Sequence, residues 1–319
     1  MLPVTTSEEK LYAVTRLNRA NLHDLARLHG AVYGPVAEDH YPKKYDTIYT
    51  GVAYVGFIAY NLRQEPIAYY GVLPCFIKYR DKVALASQSA DTMTHPGYRF
   101  KGLFVELSLR TFELCRELGI ELIFGFPNEN SYHGAINKLG WQLLHRMDCF
   151  TIRVRAIPFA KHAGKNKFIN KIYKFYSEII IRQHLLKDHA ISNPVLDEGL
   201  AGVYRTAAYN IYKKGFSKAR TIGVEGASMT VSIRQVLLVG DMENVNESNF
   251  RAVIAALKKL AARLGIQEVQ FHSSPGTALH GLFKTYYTAT PSYPVLLQDL
   301  ECPVPVEKLR FCFADIDIF

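Results

Sequence analysis

The stretch Thr92-Met-Thr-His-Pro-Gly-Tyr-Arg-Phe-Lys-Gly-Leu-Phe104 brings two basic side chains, Arg99 and Lys101, up to a glycine, Gly102, at the head of an amphipathic run. A helix that begins here leaves its first backbone N–H groups unpaired at the positive end of its dipole, and glycine lets an anion approach the backbone closely. That is the chemistry of a phosphate cradle. Taken alone, the same residues also suit a tight strand-to-helix turn carrying two solvated cations. Other catalytic patterns are missing from the sequence: there is no Gly-x-Ser-x-Gly, no Walker loop and no His-Glu-x-x-His. The five cysteines, Cys75, Cys115, Cys149, Cys302 and Cys312, are spaced too widely for a zinc site or a disulfide framework, so no metal is expected.

Such a loop needs a strand before it and a helix after it, and the flanking periodicities supply both. Val52 to Leu62, Pro66 to Lys78 and Val83 to Thr94 are rich in Val, Ile, Tyr and Phe and are separated by the polar turns Arg63-Gln64-Glu65 and Arg80-Asp81-Lys82, which predicts three antiparallel strands. From Gly102 to Leu118 the period changes, with Leu103, Leu107, Leu114 and Leu118 on one helical face and Gly119 as the cap. Ile120 to Phe126 reads as a short strand, Ser131 to Leu139 as a short helix ended by Gly140, and Trp141 to Val154 as another strand. Ahead of all these, a strand from Leu11 leads into a helix carrying Leu22, Leu25 and Leu28, stopped by Gly34 and Pro35. The predicted order is β-α-βββ-α-β-α-β.

The pattern then returns. Gln235 to Val239, Asn249 to Leu264, Ile266 to Phe271, Thr277 to Tyr286 and Ser292 to Leu297 read as strand, helix, strand, helix, strand. Leu118-Gly119-Ile120 and Leu264-Gly265-Ile266 stand 146 residues apart at equivalent junctions. This predicts a degenerate internal duplication. The second copy has no cradle: Val245 and Ser248 stand opposite Arg99 and Gly102, and Asp241, Glu243 and Glu247 would repel a pyrophosphate. Ser248 is read as a helix cap, and the second half as lacking a phosphate site.

With 319 residues, 49% apolar and 21% charged, the chain has the make-up of a globular protein of about two domains. The longest apolar stretch, Gly51 to Tyr60, falls short of the ~20 residues a membrane span needs, and a polar opening argues against a leader, so a reducing cytoplasm is expected. Of a net charge of +9, more than half lies in 161–189, where seven basic side chains meet only Glu178 and Asp188. Phe168, Ile172, Phe175, Tyr176, Ile179 and Ile180 there recur at helical intervals, which predicts one amphipathic helix joining the halves. Its basic residues are read first as a solvated face, with attraction for an acidic acceptor and contact with an anionic membrane surface as alternatives. No nucleic-acid signature is present.

The loop and its flanks resemble those of the GCN5-related N-acetyltransferase superfamily, whose pyrophosphate loop runs Arg or Gln, two residues, Gly, one residue, then Gly or Ala. Arg99 and Gly102 match and Phe104 departs; Thr94-His95-Pro96, Phe126-Pro127-Asn128-Glu129-Asn130-Ser131-Tyr132 and Lys138-Leu139-Gly140-Trp141 fill the neighbouring places. The likeness covers about 8–155 well and 195–300 in outline, and is greatest to a tandem-domain subgroup. It implies an α/β fold of two such domains, each a mixed, mostly antiparallel sheet flanked by helices, joined by the basic helix: an acetyl-CoA-binding domain at 1–158, the connector at 159–194 and a degenerate second domain at 195–319.

The resemblance further implies an N-acetyltransferase, moving an acetyl or other acyl group from acetyl-CoA to an amine by direct attack in a ternary complex. Met93 and Thr94 would pair with the pantetheine arm, Arg99, Phe100, Lys101, Gly102, Leu103 and Phe104 would hold the pyrophosphate, and Asn128 would complete the cofactor site. The tyrosine that family members use as general acid is absent, because its slot is Ile136; Tyr132, one turn earlier, is the nearest substitute. Asp91, on the strand entering the loop, is the candidate base, with His95 and His133 nearby. The acceptor is expected to be a small-molecule or sugar amine. Two alternatives stay open: a FemAB-like transferase that takes aminoacyl-tRNA as donor, and a catalytically inactive binding protein that keeps the fold.

Overall fold

The computed structural model describes residues 12–164, 166–186 and 189–319. The first half runs β1 (Tyr12–Arg16), α1 (Leu22–Val32), α2 (His40–Lys44), β2 (Val55–Asn61), β3 (Pro66–Tyr79), β4 (Lys82–Thr94), α3 (Leu103–Glu117), β5 (Leu122–Gly125), α4 (Glu129–Leu139) and β6 (Gln142–Arg153). This is the expected order with the short α2 added. The connector forms two helices where one is expected, α5 (Phe159–Ala163) and α6 (Lys167–Arg182). The break follows from Asn166, whose side chain accepts from the N–H groups of Phe168 and Ile169 and so starts a new helix. The polar N-terminal opening and residues 165, 187 and 188 of the connector lie outside the described residues.

The second half runs β7 (Gly202–Val203), α7 (Ala207–Phe216), β8 (Arg220–Val224), β9 (Ala227–Ile233), β10 (Leu237–Glu243), α8 (Phe250–Arg263), β11 (Glu268–Ser273), α9 (Ala278–Tyr286) and β12 (Ala289–Asp299). The duplication extends to hydrogen-bond detail. After α3, Ile120 N–H reaches back to Cys115 O, and after α8, Ile266 N–H reaches Ala261 O, each at 2.9 Å. Gly119 and Gly265 are both left-handed at these points, the helix ending in which a glycine satisfies the last carbonyls.

The two copies share one sheet, in the order β1-β2-β3-β4-β5-β12-β6-β11-β10-β9-β8. Among the described strands only β4 with β5 and β10 with β11 run parallel within it. The last strands are exchanged: β12 of the second half pairs with β5 of the first, β6 of the first pairs with β11 of the second, and β6 and β12 pair with each other. The sheet therefore continues without a break through both copies. One face is covered by α3 and α4 over Leu103, Leu107, Phe112 and Trp141, and by α6, α8 and α9 over Phe250, Leu257 and Phe271. On the other face α1 and α2 cover Tyr45, Tyr69 and Met93, while α7 and the C-terminal segment pack with Phe124, Phe311 and Phe313 over the centre.

Candidate active site

β4 pairs with β5 only through Ala86, Ser87 and Gln88, opposite Leu122, Ile123 and Phe124. Beyond Gln88 the strands part, and β4 continues to Thr94 paired with β3 alone. An unpaired strand edge is a ready partner for an extended ligand. Inside this stretch β4 bulges: Met93 stands opposite Tyr69 and Ala90 opposite Gly71, so Asp91 and Thr92 share Tyr70. Asp91 takes a left-handed backbone at φ 53°. Met93 is buried in the core under α1 and α2, so only its backbone faces the gap in any pairing role.

The gap leads to the head of α3. Gly102 has φ 77°, and no side chain caps the helix. The first helical bond runs from Glu106 N–H to Gly102 O, which leaves the N–H groups of Leu103, Phe104 and Val105 without intrahelical partners. A Cβ built on Gly102 meets nothing within 4 Å, so the approach to these groups is open. Arg99, Phe100 and Lys101 are exposed beside it, and Lys101 Nζ lies over the Tyr98 ring, 4.9 Å from its centroid. Leu103 is buried and anchors the helix.

Phe104, the departure from the family loop, turns away from the cradle. Its ring packs edge-on against Tyr70 at 6.1 Å, and a Cβ on Gly134 of α4 would come within 2.9 Å of it.

Asn128 caps α4, its side-chain oxygen accepting from the N–H groups of Asn130 and Ser131. Tyr132 lies half-buried on α4 with the Arg146 guanidinium over its ring, and Ile136 packs into the core one turn on. His95 accepts from Gly97 N–H and shapes the turn, while His133 is exposed. Asp91 is held by two donors on one oxygen: Oδ2 lies 2.7 Å from Lys44 Nζ and accepts from Tyr45 OH at 2.9 Å. Among the described residues none reaches its Oδ1.

Four residues of this region carry no sequence signal. Lys44 is buried between Asp91 and Asp317, both at 2.7 Å. Burial alone would depress its pKa, but the two carboxylates more than offset that and hold it above the ordinary range. Gln88, where the strands part, donates to Asp317 at 3.2 Å. Tyr33, exposed at the end of α1, donates to Thr92 O at 3.3 Å in the bulge. Burial and then the Asp91 charge raise its pKa, with Arg99 opposing. These contacts join segments far apart in the chain, and none lies in a local motif.

The second copy has the same parting of strands but a different occupant. β10 pairs with β11 through Leu237, Leu238 and Val239. Beyond that point the C-terminal segment packs on both strands: Ser273 bridges Cys312, Ser274 N–H donates to Phe311 O at 2.8 Å, and Phe313 stacks on His272 at 4.8 Å. The loop before α8 is closed by its own side chains. Asn246 accepts from Ser248 and Asn249, while Asn249 is the capping position, so Ser248 is a donor to that turn and not the cap. Among the described residues no cluster of three or more His, Cys, Asp or Glu could hold a metal, and no helix is long and apolar enough to cross a membrane.

The acetyltransferase (GNAT) domain model matches residues 13–144. No curated protein matches the sequence. Among solved structures, a GCN5-related N-acetyltransferase from Kribbella flavida is similar over 92% of this chain and 72% of its own, with TM-score 0.60 at 14% identity. A probable N-acyltransferase from Enterococcus faecalis V583 is similar over 91% and 73%, with TM-score 0.59 at 11% identity. A putative acetyltransferase from Pyrococcus horikoshii is similar over 98% and 96%, with TM-score 0.52 at 12% identity. At these identities the structures establish the shared fold, and the segment 13–144 carries the GNAT acetyltransferase domain.

Proposed function

We propose that the protein transfers an acetyl or other acyl group from coenzyme A to an amine, with one coenzyme site, in the first half. The observation that carries this reading is the contrast between the two strand gaps. The gap between β4 and β5 is unpaired along β4 and ends at an uncapped helix, whereas its counterpart is filled by the chain itself. The residues fit the group: unpaired N–H groups and the dipole of α3 suit a pyrophosphate, Arg99 and Lys101 add charge, and the edge of β4 through Met93 and Thr94 suits the pantetheine amides. Bound there, acyl-coenzyme A supplies a thioester carbonyl open to attack by an amine.

The chain's own groups account for the remaining steps. Asp91, fixed by Lys44 and Tyr45 through Oδ2, keeps Oδ1 to take a proton from the incoming ammonium, directly or through a water. Tyr33, which donates to Thr92 O at the bulge, and Tyr132 on α4 are the candidate donors to the departing thiolate. The acceptor is read as a small-molecule or sugar amine entering where the strands part, beside a water-sized cavity of about 20 Å³ lined by Gln88, Phe124, Tyr212, Lys213, Asp315 and Asp317. A cytoplasmic setting suits five free cysteines.

Calorimetry of acetyl-coenzyme A on the wild type and on Gly102→Glu tests the site. The expected result is one site per chain, lost in the variant. Thiol release with a panel of amines then separates a transferase from a protein that only binds. Absence of binding by the wild type at millimolar coenzyme overturns the reading.

A further inference from the structure

Helix α6 has two apolar faces. The inner one, Tyr173, Ser177, Ile180 and Ile181, is buried on the second-half core. It is pinned there by Tyr173 OH donating to Leu264 O at 3.0 Å and by Tyr176 OH donating to Arg263 O at 2.6 Å. The outer one is Phe168, Ile172, Phe175 and Ile179, a single stripe at helical spacing that is 73%, 49%, 71% and 46% exposed. At ~100° per residue this stripe points away from the buried face, and Lys167, Lys171, Lys174 and Arg182 form a row along one side of it. All four are exposed. The helix holds one acidic residue, Glu178, which lies 3.5 Å from Arg182.

Apolar patches of this kind on a globular surface mark a docking site. We propose that α6 docks on an anionic membrane surface, lying in its plane, with the Phe and Ile stripe entering the acyl boundary and the lysine row on the lipid phosphates. Charge selects this occupant. A second copy would bring the same basic row against the first, whereas an anionic headgroup layer neutralises it. The helix has 16 residues, too short to span, and is held parallel to the protein surface by its inner face. The proposal is independent of the acyl-transfer reading.

Cosedimentation with vesicles tests it. The full chain should pellet with phosphatidylcholine and phosphatidylglycerol mixed at roughly three to one, bind phosphatidylcholine alone at least about tenfold less, and be released by about 0.5 M salt. Phe168→Ser with Phe175→Ser should cut binding about tenfold or more, and Lys171→Glu with Lys174→Glu should do likewise on anionic vesicles only. All these positions are exposed, and an unchanged melting temperature confirms that the variants fold. Failure of the wild type to pellet, equal binding to neutral vesicles, or full binding by either double variant overturns the proposal. A self-association abolished by the Phe substitutions, without vesicle binding, assigns the face to a second copy and overturns it equally.

Discussion

Arg205 donates through Nη2 to Asp315 at 2.8 Å while its Nη1 holds Asp241 of β10 at 2.6 Å. All three side chains are almost wholly removed from solvent. The pair thus fastens the C-terminal segment into the gap of the second copy, where it occupies the place a ligand would take in the first. Removing the cation leaves two buried carboxylates facing each other, which costs far more than the net contribution of an intact pair. Arg205→Met is therefore expected to lower the unfolding free energy by about 3–5 kcal/mol in urea denaturation. Coenzyme stoichiometry should stay at one per chain, because the second copy has no cradle even when unplugged.

Phe104 and Gly134 form a complementary large and small pair. Gly134→Ala places a methyl group 2.9 Å from the Phe104 ring and forces it to move, at an expected cost of about 1–3 kcal/mol. In a Phe104→Ala background the same substitution should be nearly neutral. A double-mutant cycle by thermal or chemical unfolding reads this coupling, and additivity of the two changes would show that the ring does not depend on the glycine.

Gly102 separates backbone strain from charge. Its left-handed φ of 77° in open space means that alanine meets no neighbour but adopts an unfavourable conformation, costing about 1–2 kcal/mol of stability. Gly102→Asn should cost less, since asparagine tolerates that region. If Gly102→Ala and Gly102→Asn bind acetyl-coenzyme A within a few-fold of wild type while Gly102→Glu does not, the loss belongs to the carboxylate and not to the turn.

The path from sequence to fold was short where the signal is local. The leucines of α3, the glycines after α3 and α8, and the turns between β2, β3 and β4 each act over a few residues and appear where expected. The strands β8 and β9 escape such reading because their turn, Glu225-Gly226, is flanked by runs mixing Thr, Ser, Met and Gly with few branched apolar residues. The exchange of β6 and β12 is invisible for a different reason: two homologous strands offer the same hydrophobic pattern to either partner, and only the tertiary arrangement selects one. The cradle from Arg99 to Gly102 was legible as a backbone signal. The ion triad of Asp91, Lys44 and Asp317 was not, since it is assembled from three distant segments.

The acid and base can be told apart by kinetics. Asp91→Asn keeps the size of the side chain but gives up the negative charge opposite Lys44, so it is expected to reduce kcat by about 10²–10⁴-fold with little change in coenzyme affinity. Comparison of Tyr33→Phe with Tyr132→Phe assigns the acid. The variant of the true donor should lower kcat and lose the alkaline limb of the pH–rate profile that the donor's ionisation causes, and the other variant should stay within a few-fold of wild type.

Lys213 gives the chain a pH signature. Its ammonium donates to Ile316 O at 2.8 Å, and among the described residues no carboxylate comes within ion-pair distance. Burial pulls its pKa down to about 8, with Asp317 and Asp315 opposing, against about 10.4 for an unfolded lysine. Between those values the unfolded chain holds a proton that the folded chain has released, so this residue makes stability rise with pH across that window and is most costly below it. Lys213→Met should therefore be more stable than wild type at pH 7, by about 1.4 kcal/mol for each unit of depression removed. The buried thiols of Cys75 and Cys115, both pushed up to about 12, pull the other way, because their unfolded forms ionise first. They are common to both proteins and cancel in the difference. The measurement is thus wild type against variant by urea denaturation from pH 7 to 10, and the advantage of the variant should shrink steadily as pH rises; a constant difference would mean that Lys213 does not titrate in that range.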